Sequence, residues 1–423
     1  RGGAYGVSFL IALFAACTAE MLPVSMLARM QLLPASAAAA GVGVPSALGR
    51  GVRVVCCLAV FALALGYGYS RRSGNEFGAG PRVALIQGNE PSDVKHDPLQ
   101  GRKIQRRHEV LTGVAVQHQP DLIVWPETMF RWPLFETPPG VSDDELQQAH
   151  PGLPVAELRD LKVRTKLATL AQGSGAAMVI GLETLEADRD NVRTYNSAAL
   201  IRPDGVIAGR YDKLHRVVFG EYIPLVETFP WLRSLTPFGA NFGISAGKAC
   251  IAFEHKGFRF APIICFEDTD PQLVRGIVQA TTEETPTGPK KVDFLVNLTN
   301  DGWFHGSSEL DQHLITAAFR CVECRTPMLR AVNTGISAII DGDGVVRQKA
   351  RGFKTDGPKE DEAVVSGVVP LDSRRSPYLA GGDWFAGACL VCCGFLAITG
   401  LASRWLPGKS PAVAGVQPSG CAA

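Results

Sequence analysis

The sequence predicts an α/β layered domain held between apolar helices. Two observations carry the domain. Short strand-like runs alternate with amphipathic helical stretches from about residue 80 to residue 372. Turn signals such as Pro203-Asp204-Gly205 join some neighbouring runs as hairpins, so the pattern is not a simple βαβ repeat. A third observation sets the surroundings: the longest apolar runs lie at the two ends of the chain.

Tyr5–Cys17 is apolar and uncharged, and the run resumes after Glu20 from Met21 to Ala28. Val54–Gly68 and Trp384–Leu401 form the second and third runs. Each approaches the roughly 17–25 residues with which a helix crosses a bilayer. Arg29, Arg50 and Arg53 lie between the first two runs, and Arg404 and Lys409 follow the third. Both basic flanks fit a cytoplasmic position, whereas Arg71 and Arg72 run against it. The balance puts the region from about Ser73 to Gly382 on the outer face. The expected organisation is a membrane region over 1–72 with about two spans, a folded domain over 80–372, a third span over 383–406 and a disordered tail over 407–423. The chain opens on Arg1, almost directly in an apolar run, and reads as a piece of a longer protein. That opening lacks the form of a secretory signal.

Within the domain, Arg82–Gln87 reads as a strand, Arg102–Gln117 as a helix and Asp121–Trp125 as a strand stopped by Pro126. Val155–Gln172 is helical and Ala176–Leu182 extended. Asn196–Arg202 and Val206–Tyr211 flank the first hairpin turn. Phe258–Cys265 and Asp293–Asn297 are strands, Glu309–Cys324 is a helix, and Met328–Val332 and Ile336–Ile340 are strands. Asp341-Gly342-Asp343-Gly344 reads as a turn, because the later ligands of a calcium loop are missing.

A net charge of +1 offers no concentrated basic surface, which argues against nucleic acid as a partner. The 11 cysteines do not look like a disulfide set. Cys17, Cys56, Cys57, Cys389, Cys392 and Cys393 lie in the apolar runs as small hydrophobes, and Cys421 lies in the tail. Cys321 and Cys324 have redox or zinc spacing without a second pair. His305, Glu309 and His313 suggest a metal cluster, but no companion site accompanies them. No phosphate loop or zinc-protease signature is present.

Three segments put polar residues at strand ends, where open α/β folds place their chemistry. Ile263-Ile264-Cys265-Phe266-Glu267-Asp268 ends a buried run on a thiol followed by acids. Leu122-Ile123-Val124-Trp125-Pro126-Glu127 sets a carboxylate just after a strand. Tyr211–Pro224 carries Lys213 and Glu221 around a Phe-Gly bend. Singly, these read as a core thiol, a solvated acid and a surface lysine. Together they supply acyl transfer through a thioester: a base for the thiol proton, a cation for the oxyanion and a nucleophile that divides one substitution into two.

In the order Glu127, Lys213, Cys265 these segments resemble the nitrilase superfamily. Asn300-Asp301-Gly302-Trp303-Phe304 and the helix end Arg320…Glu323…Arg325-Thr326-Pro327 extend the likeness, which runs from about Arg82 to Pro370. With apolar runs on both sides, the chain is most similar to the apolipoprotein N-acyltransferase family. The resemblance implies a nitrilase-like α-β-β-α sandwich flanked by transmembrane helices, in the bacterial cytoplasmic (inner) membrane, with the domain on the periplasmic face. It implies a phospholipid acyl donor, a diacylglyceryl-modified lipoprotein as acceptor, and no metal or organic cofactor. Glu127 would be the general base, Lys213 the oxyanion-stabilising cation and Cys265 the nucleophile. Glu221 and Glu267 would be supporting acids that hold Lys213 and its loop. Trp303, Tyr222 and Asn300 would contact substrate. Val218 stands where the family usually has proline, Phe266 stands where tyrosine is common, and fewer spans precede the domain than is usual. The alternative is a membrane-tethered amidase of the same superfamily, acting on a small amide or nitrile with water as acceptor.

Overall fold

A computed structural model describes residues 2–22, 47–72, 77–90, 98–237, 239, 242–286, 288–355 and 357–405. Most of the second half of the first apolar run (from residue 23), Arg29, Lys409 and the tail over 407–423 lie outside the described residues.

Two apolar helices lead in, α1 (Gly3–Met21) and α2 (Ala47–Arg72). The domain then runs through β1 (Gly78–Gln87), α3 (Pro98–Val116), β2 (Leu122–Val124), β3 (Phe130–Glu136), α4 (Val163–Ser174), β4 (Ala177–Ala187), β5 (Val192–Ile201) and β6 (Ile207–Asp212). Its second half has β7 (Phe253–His255), β8 (Phe258–Ile264), α5 (Pro271–Ala280), a small hairpin of β9 (Glu283–Thr285) and β10 (Gly288–Lys290), β11 (Phe294–Thr299) and α6 (Glu309–Cys324). β12 (Met328–Val332), β13 (Ala338–Ile340), β14 (Val346–Lys349) and β15 (Ala363–Leu371) follow, and α7 (Trp384–Trp405) leads out. The helix expected over Val155–Gln172 is divided at Leu161-Lys162, where Lys162 takes a φ of +49°.

Two sheets result. One has the order β15-β1-β2-β4-β5-β6 with β3 also on β4; the other has the order β14-β13-β12-β11-β8-β7. Parallel strands form the middle of each: β1, β2 and β4 in the first, β8, β11 and β12 in the second. Leu85, Val124, Val179, Leu200 and Tyr211 of one inner face pack on Phe260, Ile264, Val296, Leu298 and Leu329 of the other. α3 and α4 cover the first sheet through Leu111, Ala115, Leu167 and Ala171. α5 and α6 cover the second through Val274, Ile277, Ala317 and Cys321. This is the expected α-β-β-α sandwich, and Cys321 and Cys324 fill its core.

α2 and α7 are long and apolar enough to cross a membrane, and α1 contains a shorter apolar helix. All three meet the domain along one edge. The Ala4 N–H donates to Glu323 Oε1 at 2.7 Å, Arg71 donates to the Arg375 carbonyl at 2.8 Å, and Tyr378 donates to Asp383, beside the start of α7, at 2.8 Å. Phe9 of α1 packs edge-on against Phe385 of α7, their ring centres 5.2 Å apart.

Candidate active site

Strands that run parallel release their carboxyl ends on the same side, and the three expected residues sit at such ends. Glu127 follows β2 and is buried. Gly181 on β4 makes room for it: a Cβ there would lie 2.2 Å from the Pro126 carbonyl oxygen and 2.7 Å from Glu127 Cα. Thr128 has a φ of +52°, so the chain turns sharply just after the acid. Asn196, on β5, donates from Nδ2 to Glu127 Oε1 at 2.7 Å.

Lys213 follows β6 and is 1% exposed. Its Nζ lies 2.8 Å from Glu221 Oε1 and 3.8 Å from Glu127 Oε1. Its N–H donates to the Asn196 carbonyl at 2.9 Å, and its carbonyl accepts from the Gly247 N–H at 2.8 Å. Burial opposes the lysine's charge and the Glu127 and Glu221 carboxylates favour it; the pKa lies above the ordinary range, so the group is an ammonium. The other oxygen of Glu221 accepts from the Val217 N–H at 2.8 Å, closing the loop over the lysine.

Cys265 follows β8 and opens a short 3-10 turn over Cys265–Thr269. Its φ is +54°, a left-handed backbone that costs an L-residue about 1–2 kcal/mol. Ile264 pairs with Leu298, which brings Cys265 beside Thr299 at the end of β11. Burial pushes the thiol up to about 12; the Glu127 charge adds to this and Lys213 opposes it. The resting group is therefore a thiol, and attack requires a base.

Glu267 corrects one expectation. It was expected to pair with Lys213, but its oxygens are taken by four other donors. Oε2 accepts from the Ile264 N–H at 2.7 Å and the Tyr211 hydroxyl at 2.8 Å. Oε1 accepts from the N–H groups of Leu214 at 2.7 Å and His215 at 3.0 Å. This carboxylate splices the Cys265 turn to the Lys213 loop through the backbone. Burial raises its pKa against the pull of those bonds.

Trp303 is 56% exposed, so it is not core packing. Tyr222 lies against the Arg216 guanidinium, 4.4 Å from its ring centre. Asn300 is buried, and its Oδ1 accepts from Asn333 Nδ2 at 2.9 Å and the Gly302 N–H at 3.3 Å. That amide shapes the loop after β11. The structure thus brings together Glu127, Lys213, Glu221 and Cys265 over Glu267, with Asn300 built into a neighbouring loop.

Two features escaped the sequence. One is Asn196. The other is a fully buried group behind the Cys265 turn. His313 faces Asp268 Oδ1 at 2.7 Å and Asp301 Oδ1 at 2.9 Å. Arg330 spans the same acids at 3.1 and 2.6 Å. Burial and Arg330 oppose the histidine's charge, but the two carboxylates push its pKa up to about 9. His313 is thus an ion-pair partner, and among the described residues no metal-binding cluster forms. The available signal was a polar residue inside an apolar strand, as in Met328-Leu329-Arg330-Ala331-Val332, since buried polar groups need partners.

Residues 82–373 match the carbon-nitrogen hydrolase family. The chain is similar to the apolipoprotein N-acyltransferase of Geobacter metallireducens, 34% identical over 352 residues that make up 83% of this chain and 59% of that one. It is similar to the enzyme of the same name from Bdellovibrio bacteriovorus, 30% identical over 69% of this chain and 50% of that one. The chain therefore spans between half and three fifths of the length of these curated relatives. Among solved structures it is similar to a carbon-nitrogen hydrolase from Helicobacter pylori G27, with 13% identity, a TM-score of 0.47, and 69% of this chain and 89% of that one covered. An amidase from Nesterenkonia sp. gives 16% identity and a TM-score of 0.45, over 70% of this chain and 94% of that one. With a family match over well more than half of its length, the chain belongs to the carbon-nitrogen hydrolase family.

Proposed function

We propose that this chain moves a fatty acyl group from a phospholipid to the α-amino group of the N-terminal diacylglyceryl-cysteine of a lipoprotein. Catalysis would reside in the domain over 80–372, on the outer face of a bacterial cytoplasmic membrane. The observation that carries this reading is a site of buried Glu127 and Lys213 beside a half-buried Cys265, in a domain joined along one edge to apolar helices. The names of the relatives support it. Both substrates are lipid-anchored, so a site held at the bilayer meets them without extracting either one.

In the first half-reaction Glu127 takes the Cys265 proton as sulfur attacks the ester carbonyl. Lys213 holds the oxyanion while the C–S bond forms. The C–O bond then breaks, Glu127 returns the proton to the departing lysophospholipid oxygen, and a thioester remains. In the second, the lipoprotein amine attacks the thioester and Glu127 takes its proton. The C–N bond forms, the C–S bond breaks, and sulfur recovers the proton. Glu221 keeps the ammonium in place throughout, and Glu267 keeps the two loops in register.

The test is mass spectrometry of the protein after incubation with phospholipid vesicles. A fatty-acyl adduct on Cys265, absent in Cys265→Ala and discharged by a peptide bearing an N-terminal diacylglyceryl-cysteine, is the expected result. An unlabelled Cys265 in a protein that releases ammonia from small amides would replace this reading with an amidase.

A further inference from the structure

We infer that Asn196 is a positioning residue for Glu127: its amide holds one carboxylate oxygen and leaves the other to exchange the proton. The inference rests on the proposed roles of Glu127 and Cys265. Asn196 Nδ2 donates to Glu127 Oε1 at 2.7 Å, and Lys213 Nζ approaches that same oxygen at 3.8 Å. Both fixed contacts thus fall on Oε1. The Asn196 carbonyl also accepts the Lys213 N–H at 2.9 Å. One residue of β5 therefore sets the side chain of the base and the backbone of the cation.

The energetics point away from a packing role. Asn196 is 5% exposed, and its buried Oδ1 has no partner among the described residues. An unpaired buried acceptor costs about 1–3 kcal/mol. A residue serving the core alone would avoid that cost with an apolar side chain. The amide orientation follows from its partner: Oδ1 turned toward an ionised carboxylate would set acceptor against acceptor. The groups facing Glu127 are Asn196, Lys213 and Cys265, and Glu221 acts on it across Lys213.

The test measures acylation of Cys265 by p-nitrophenyl butyrate as a nitrophenolate burst, in the full chain in detergent. This ester reads the base and thiol whatever the natural donor is. Asn196→Ala should slow the burst by roughly 10–100-fold, part of what a general base supplies, with the half-saturating ester concentration within about twofold of wild type. Asn196→Asp should slow it further and move the acidic limb of the rate profile to higher pH, because two facing carboxylates compete for one proton. Wild-type bursts in both variants would overturn the inference, as would a changed half-saturation at an unchanged rate. A wild-type burst with no labelling from phospholipid would remove the lipid reading and leave this inference standing on its own result. A wild type with no burst at all would overturn both.

Discussion

In the proposed mechanism Cys265 is the nucleophile, and its surroundings keep the thiol protonated. Burial and Glu127 push Cys265 up, and Lys213 pulls it down. Direct alkylation and acyl transfer should therefore respond differently to the same substitution. Glu127→Gln removes the charge that raises the thiol, so iodoacetamide should label Cys265 several-fold faster at pH 8. Acylation should meanwhile fall on the order of 100–10,000-fold with loss of the proposed base. Lys213→Met removes the opposing cation, so alkylation should slow, and acylation should fall at least about 100-fold with the oxyanion left unpaired. Equal directions of alkylation change in the two variants would contradict this account. In wild type, labelling should keep rising with pH beyond 9, because the thiol titrates only near about 12.

At the scale of elements, the site depends on how closely strands pass one another. Gly181 lets β4 run beneath Pro126 and Glu127, and the atoms in the way of a Cβ are backbone. Gly181→Ala should cost about 1–3 kcal/mol and displace Glu127, read as a lower denaturation midpoint and a slower burst. The buried acids and His313 tie β8, β11, α6 and β12 together. His313 has a folded pKa of about 9, above its ordinary value near 6.5. Its stabilising contribution is therefore complete below about pH 6.5 and is lost as pH rises through about 9. The gap in thermal midpoint between wild type and His313→Asn should narrow over that window; a constant gap would mean the histidine is neutral. The two strand ends were legible because central parallel strands, buried on both faces, read as continuous apolar runs such as Leu122-Ile123-Val124. β15 was not legible, since its pairing with β1 joins residues nearly 300 positions apart, and Val368 within it is exposed. Glu267 was given Lys213 as its partner, whereas its donors are mostly backbone N–H groups, which no sequence pattern marks. Asn196 finds Glu127 69 positions away, and His313 finds Asp268 45 positions away, so no local pattern names these pairs.

At the scale of the whole molecule, one conflict in the sequence resolves. Arg71 and Arg72 opposed the orientation given by Arg50, Arg53 and Arg404. Arg71 proves to be a strut between α2 and the domain: it donates to the Arg375 carbonyl, and its own carbonyl accepts from Arg374 at 2.7 Å. Its position is set by that joint, so it carries little weight as a topology signal. Arg50 and Arg53 lie toward the opposite end of α2, and Arg404 lies at the far end of α7 from the domain. The domain-side ends of α1, α2 and α7 share one edge, so a single membrane surface beside that edge accommodates all three. The proposed orientation, with the basic ends toward the cytoplasm and the domain outward, fits this arrangement. This orientation predicts that proteinase K added to spheroplasts cleaves exposed loops of the domain, such as that after β3, and that inside-out vesicles protect them. Protection in spheroplasts with cleavage in inverted vesicles would place the domain inside. It would then separate Cys265 from any lipoprotein displayed on the outer leaflet.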